Sequence, residues 1–233
     1  VMYVPVSPSE RTCDAIDCCY GSNVTEINIH ETVSFKGIDM KVQNVMPYMA
    51  YGHTFVEDVN LSVSDAIGEY AFNGCSSVAT LTLGNSVSSI GASAFKDCNK
   101  IAEVILPNAI TSLGDYCFSG CGLLSEIKIP SNVKSIGNYT FSSCTGLANV
   151  TIEDRTTVLA LGSNGSAPLF ADCPLDSVYI GGNISYNTSK NYGYSPFYRN
   201  TSLRTVVITD KEEEISDTDF LLEHYEDVKK ILL

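Results

Sequence analysis

The residues with chemistry to offer are few. Three histidines, His30, His53 and His224, are spread over the whole chain. A catalytic or metal centre needs a convergent group of titratable side chains, and nothing in the order of the chain gathers these three. The acidic residues are scattered, apart from a run at Glu212, Glu213 and Glu214 that reads as a solvated loop. No EF-hand spacing, P-loop or nucleophile elbow occurs. No catalytic residue, metal ligand set or cofactor is therefore expected. Nine cysteines remain. Taken alone they fit a disulfide framework or a metal or redox array. Their spacing points elsewhere: Cys75, Cys98, Cys121 and Cys144 stand 23 residues apart.

That interval belongs to the whole chain. Ile67, Ile90, Leu113 and Ile136 keep it, as do Phe72, Phe95, Phe118 and Phe141. So do Leu81, Val104, Ile127 and Val150, with Leu83, Leu106, Ile129 and Ile152 two places later. A fixed period in this range marks a solenoid, in which each unit buries its apolar face only against its neighbours. After an irregular stretch the pattern returns at Phe170, Cys173, Leu175, Val178 and Ile180. It returns again at Phe197, Asn200, Leu203, Val206 and Ile208, with Asn where Cys stood. Ile215 and Phe220 open a seventh unit that closes on Val228, Ile231 and Leu233. Val45, Met49, Val59 and Leu61 form a degenerate first unit. Before it, alternation over residues 27–33 and 38–42, with Lys36-Gly37 between, predicts two strands and a turn.

Within one unit, Thr80-Leu81-Thr82-Leu83 reads as a four-residue strand with both leucines inward. The segment from the Gly to the Cys has room for one helical turn, 3₁₀ or α. Gly68, Gly91, Gly114 and Gly137 recur at the bend, where a positive φ or close packing favours glycine. The cysteine column reads as small buried residues stacked along the axis, pointing the same way and so suited to neither a disulfide nor tetrahedral zinc. Cys13, Cys18 and Cys19 lie outside the repeat, and a disulfide among them is left open.

These residues resemble a known family. The run Ile90-Gly91-Ala92-Ser93-Ala94-Phe95-Lys96-Asp97-Cys98 and the strand end Ile127-Lys128-Ile129-Pro130 are similar to the BspA-like leucine-rich repeats of bacterial surface proteins. The resemblance implies an α/β leucine-rich-repeat solenoid. Its curved parallel β-sheet has short strands, joined by 3₁₀ or short helical turns in 23-residue repeats. Residues 1–45 would form an N-terminal β cap. Residues 46–233 would form the solenoid of about seven units, irregular at 153–195 and incomplete in the last. It also implies a secreted or surface-attached bacterial protein, an adhesin or interaction module rather than an enzyme. The Pro that follows the strand in the family's pattern stands only at Pro107 and Pro130; Gly84, Glu153, Gly181 and Thr209 replace it elsewhere.

Composition narrows the partners. A net charge of −13 with no basic run excludes gripping a nucleic-acid backbone or an anionic membrane surface. It favours basic partners and predicts binding that weakens with salt. No stretch is long and apolar enough to insert in a membrane, and residues 1–10 hold no signal-peptide pattern. The side chains expected to face outward on the sheet are Thr82, Ile105, Lys128, Thr151, Tyr179 and Val207, beside the row Thr80, Glu103, Glu126, Asn149, Ser177 and Thr205. Solenoids bind partners on such a face. A second candidate is the tyrosine-rich loop with Tyr186, Tyr192, Tyr194 and Tyr198. Its tyrosines either pack the loop onto the solenoid or contact a partner. The expected ligands are host or bacterial surface proteins, or glycans. The competing roles are a carbohydrate-binding module and a spacer holding another domain off the cell.

Overall fold

A computed structural model describes residues 1–7, 9–17, 24–162, 168–186, 196–197 and 200–209. Each repeat makes one coil, here called a rung. Four-residue strands stack in register along one side. Glu26–Ile29, Asp58–Leu61 and Thr80–Leu83 form a three-stranded parallel sheet. Glu126–Ile129, Asn149–Ile152, Ser177–Ile180 and Thr205–Ile208 form a four-stranded one. A second ladder of strands only two or three residues long, such as Ser89–Ile90 and Ser112–Leu113, runs along another side. The 23-residue interval sets this register, so each apolar residue lands beside its own counterpart, as Ile127 does beside Val150, and the register holds across the longer interval from Val150 to Val178.

The core is a stack of identical layers. Phe72, Phe95, Phe118, Phe141, Phe170 and Phe197 form one column, with ring centroids 5.4 to 5.9 Å apart and planes within 8° of parallel. The first five rings are completely buried or nearly so. Ile67, Ile90, Leu113 and Ile136 form a second buried column.

The expected helical turns are absent among the described residues. Each Gly-to-Cys segment is instead a series of overlapping four-residue turns, as in Ala71 N–H to Gly68 O (3.4 Å), Asn73 N–H to Tyr70 O (3.2 Å) and Cys75 N–H to Phe72 O (3.1 Å). The physical reason is the left-handed residue at Tyr70, Ser93, Tyr116 and Tyr139, with φ between 54° and 57°. It breaks helical continuity in these four rungs. In exchange, alternate N–H groups are freed to bond the next rung. Tyr70, Phe72 and Gly74 donate to Ala92, Ala94 and Lys96 at 2.8 to 2.9 Å.

The recurring glycines are explained by close packing, not by positive φ. A Cβ on Gly91 would sit 2.7 Å from Glu69 N and 2.8 Å from Gly68 C. On Gly114 it would overlap Ala92 N of the preceding rung. Because the obstacle is backbone on the preceding coil, it cannot swing aside. Gly114→Ala is expected to cost about 1–3 kcal/mol from overpacking alone, read as a lower urea midpoint at unchanged slope. A midpoint equal to the parent's would refute the close-packing account.

The cysteine column has a further task. Cys75, Cys98, Cys121, Cys144 and Cys173 are free thiols, all buried. Each donates to a carbonyl of the preceding rung: Ala50, Phe72, Phe95, Phe118 and Phe141, at 2.9 to 3.4 Å. Each of these carbonyls also accepts a backbone N–H within its own turn, as Phe72 O does from Cys75, so the thiol is a second donor that ties one rung to the next. Asn200 plays the same part, its amide donating to Phe170 O (3.1 Å) and Cys173 O (2.8 Å). Cys13 is also a buried free thiol, and Cys18 and Cys19 lie outside the described residues.

At the N-terminus, Thr32–Phe35 and Ile38–Val45 pair antiparallel across Lys36 (φ 50°) and Gly37 (φ 76°), the two consecutive left-handed residues of a tight hairpin turn. The apolar alternation over 27–33 divides. Glu26–Ile29 joins the solenoid sheet and Thr32–Phe35 joins the hairpin. A further hairpin, Met2–Ser7 with Thr12–Asp17, lies outside it, and Thr12–Asp17 runs parallel to Ile38–Val45. In the irregular stretch the buried Arg155 donates to Val133 O (2.6 Å) and Pro130 O (2.8 Å), tying the insertion to the rung before it.

Candidate site on the sheet face

The long sheet is interrupted once among the described residues. Residues 103–106 occupy the place between Thr80–Leu83 and Glu126–Ile129, yet bond the backbone of neither. Their apolar side chains keep station, for Val104 and Leu106 are buried. The interruption is therefore of hydrogen bonding, not of the core.

Its cause can be read at the end of each strand. Elsewhere the residue after the strand closes the seam by donating its N–H to the preceding rung. Gly84 donates to Leu61 O, Glu153 to Ile129 O, Gly181 to Ile152 O and Thr209 to Ile180 O, at 2.8 to 3.0 Å. At the two open seams that residue is Pro107 and Pro130, which have no N–H to give. Strand starts add to this. Registered pairing would set Glu103 directly beside Glu126, and like charges opposed across strands are destabilising.

The interruption leaves a groove of about 440 Å³ on the sheet face, lined by Glu103, Ile105, Glu126, Lys128, Thr151 and Glu153 among others. Three of the expected sheet-face residues, Ile105, Lys128 and Thr151, meet there. Ile105 is 72% exposed. Thr82 is exposed on the adjacent strand Thr80–Leu83, and Val207 is exposed on Thr205–Ile208, both outside the groove. Tyr179 is half-buried, and its hydroxyl is tied to Asp154 Oδ1 (2.6 Å) and Thr209 Oγ1 (3.2 Å). Of the loop tyrosines, Tyr186 packs half-buried against the core, while Tyr192, Tyr194 and Tyr198 lie outside the described residues.

Charge in the groove is uneven. Lys128 Nζ is 2.7 Å from Glu153 Oε1, and Glu153 Oε2 accepts the Ser131 N–H at 3.0 Å. The Lys128 hydrogen bond, with help from the Ser131 N–H, holds the Glu153 carboxyl below its usual range. Glu103 and Glu126 are exposed and have no ion-pair partner among the described residues. Sequence reasoning placed both in the row beside the expected contact row. It missed the place of Glu153 in part: the residue was noted as a proline replacement, not as the partner of Lys128.

Stacked strands, a turn face and columns of Phe and Cys define a parallel β-solenoid of the leucine-rich-repeat class, with about seven turns. Residues 65–195 match the BspA type leucine rich repeat region in six copies, and the chain belongs to that family. Three solved structures share the fold. A leucine-rich-repeat protein of T. pallidum is 22% identical, with a TM-score of 0.63 over 90% of this chain and 80% of that one. A leucine-rich-repeat protein from Bacteroides ovatus ATCC 8483 is 20% identical, with a TM-score of 0.56 over 89% and 75%. A leucine rich cell surface protein from Faecalibacterium prausnitzii A2-165 is 21% identical, with a TM-score of 0.71 over 91% and 55%. No curated protein matches the chain. Leucine-rich-repeat proteins are generally protein-interaction modules.

Proposed function

We propose that this chain is a non-enzymatic interaction module of a secreted or surface-attached bacterial protein, an adhesin that holds host or neighbouring-cell proteins on its sheet face. The observation that carries this reading is Ile105. An aliphatic side chain 72% exposed contributes little to the core, and this one stands in the groove where the sheet is interrupted. Contact there removes apolar surface from water, at about 25 cal/mol per Å².

The test is binding of the immobilised chain to a panel of extracellular-matrix proteins and host glycans. Ile105→Ser is compared with Leu123→Ser, which removes an exposed leucine outside the groove. The expected result is a protein ligand whose affinity falls about fivefold or more in Ile105→Ser and is unchanged in Leu123→Ser. Glycan ligands alone, or a protein ligand indifferent to Ile105, would overturn the reading.

A further inference from the structure

We infer that the groove's occupant is an extended, basic polypeptide segment lying along the solenoid axis, across the strands, with an apolar side chain against Ile105. This rests on the sheet-face reading above and names the partner's chemistry. Three features lead to it. The groove is concave and partly apolar, with Ile105 largely exposed within it. Residues 103–106 carry backbone donors and acceptors that no neighbouring strand engages, so polar groups in the groove are left for a crossing segment to bond. Finally, the first residue of successive strands forms an acidic column.

That column runs Glu26, Asp58, Thr80, Glu103 and Glu126, all exposed. Glu26 is in register with Asp58, and Asp58 with Thr80. Glu26 and Asp58, on paired strands about 4.8 Å apart, are close neighbours, and Glu103 and Glu126 line the groove together. None of the four has an ion-pair partner among the described residues. Stacking like charges in register costs the fold stability, and a cationic partner relieves that repulsion on binding. The one cation lining the groove, Lys128, is already neutralised by Glu153. Charge also rejects the alternatives. A second copy would set one acidic column against another, and a nucleic acid or an anionic membrane would meet the same repulsion. An extended segment repeats its side chains on one face about every 7 Å, so roughly three basic residues span the column.

The experiment uses the full chain and a short fluorescein-labelled peptide alternating lysine and valine, read by fluorescence anisotropy at low and high salt. Its counterpart alternates glutamate and valine. The double variant Glu103→Gln/Glu126→Gln is compared with Asp39→Asn/Glu69→Gln, which changes net charge equally at exposed carboxylates outside the groove. Expected are binding of the lysine peptide only, weakening with salt, and a loss of roughly five- to tenfold in the groove variant against less than about twofold in the other. Equal losses in both variants, or no binding of the lysine peptide, overturn the inference. A matrix-protein ligand lost in Ile105→Ser but untouched in Glu103→Gln/Glu126→Gln also overturns it, and leaves the sheet-face reading standing.

Discussion

Phe118→Ala is expected to destabilise the fold by about 3–5 kcal/mol, the range for removing a fully buried phenylalanine. The ring is completely buried and stacks between Phe95 at 5.4 Å and Phe141 at 5.9 Å. Its loss therefore opens a cavity shared by three rungs. The neighbouring coils cannot collapse into it, because Phe118 N–H to Thr140 O (2.9 Å) and Cys144 Sγ to Phe118 O (3.2 Å) fix the backbone on that side. Total stability of a domain is commonly only 5–15 kcal/mol, so a large share is at stake. Urea unfolding followed by circular dichroism measures it. The exposed Leu123→Ala serves as the comparison, expected within about 0.5 kcal/mol of the parent. A loss under about 1 kcal/mol for Phe118→Ala would show that the column is not a close-packed core.

Alkaline solution should be the other strong perturbant. Burial pushes the thiols of Cys98, Cys117 and Cys121 well up from their ordinary value of 9.0. The neighbouring Cys173 thiol, and then burial, raise Cys144 as well. In the unfolded chain these thiols lose their protons from about pH 9, while in the folded chain they keep them. The native state then binds more protons, so stability is full below pH 8 and falls as pH rises. Each thiol contributes about 1.4 kcal/mol per pH unit above its unfolded value, and four of them roughly 5 kcal/mol by pH 10. Thermal melts at pH 7, 8, 9 and 10 should be level over the first pair and drop steeply after it. Replacing one donor, in Cys121→Ser, should flatten that drop by about a quarter. In the same window iodoacetamide should spare the column below pH 8 and label it once the chain opens. A melting temperature at pH 10 equal to that at pH 8 would defeat the argument.

Much of this architecture could be read before any coordinates. A fixed interval carried by Phe, Cys, Ile and Leu at once leaves one way to stack the chain, and the inward and outward positions of Thr80-Leu81-Thr82-Leu83 follow from alternation. The turns could not be read in this way. Tyr70, Ser93, Tyr116 and Tyr139 hold positive φ although their side chains do not favour it, and only the bonds to the next rung explain why. The donor role of the cysteines was hidden because Cys reads first as a small apolar residue; Asn200 was the clue, a donor in the same column. Residues 1–45 held no repeat to calibrate against, so the hairpin of Met2–Ser7 with Thr12–Asp17 was not foreseen. At the candidate site, exposure of Ile105 was legible from its place in the strand pattern. The groove around it was not, since residues 103–106 carry the same alternation as the paired strands. Only Pro107 and Pro130 set them apart, and their effect lies in a bond that fails to form.

That missing bond also governs how the molecule responds to force. Tension along the solenoid is borne by hydrogen bonds that run along its axis from coil to coil. Between most coils the long strands, the short strands and the turns share the load. On either side of residues 103–106 the long strands carry none of it. Toward the C-terminus the load passes to the turns, through Ser93, Phe95 and Asp97 bonded to Asp115, Cys117 and Ser119, and to the short strands, through Thr111 and Gly114 bonded to Ser88 and Ile90. Among the described residues, a pull along the axis is expected to strain these two seams before the seams where the long strands are paired.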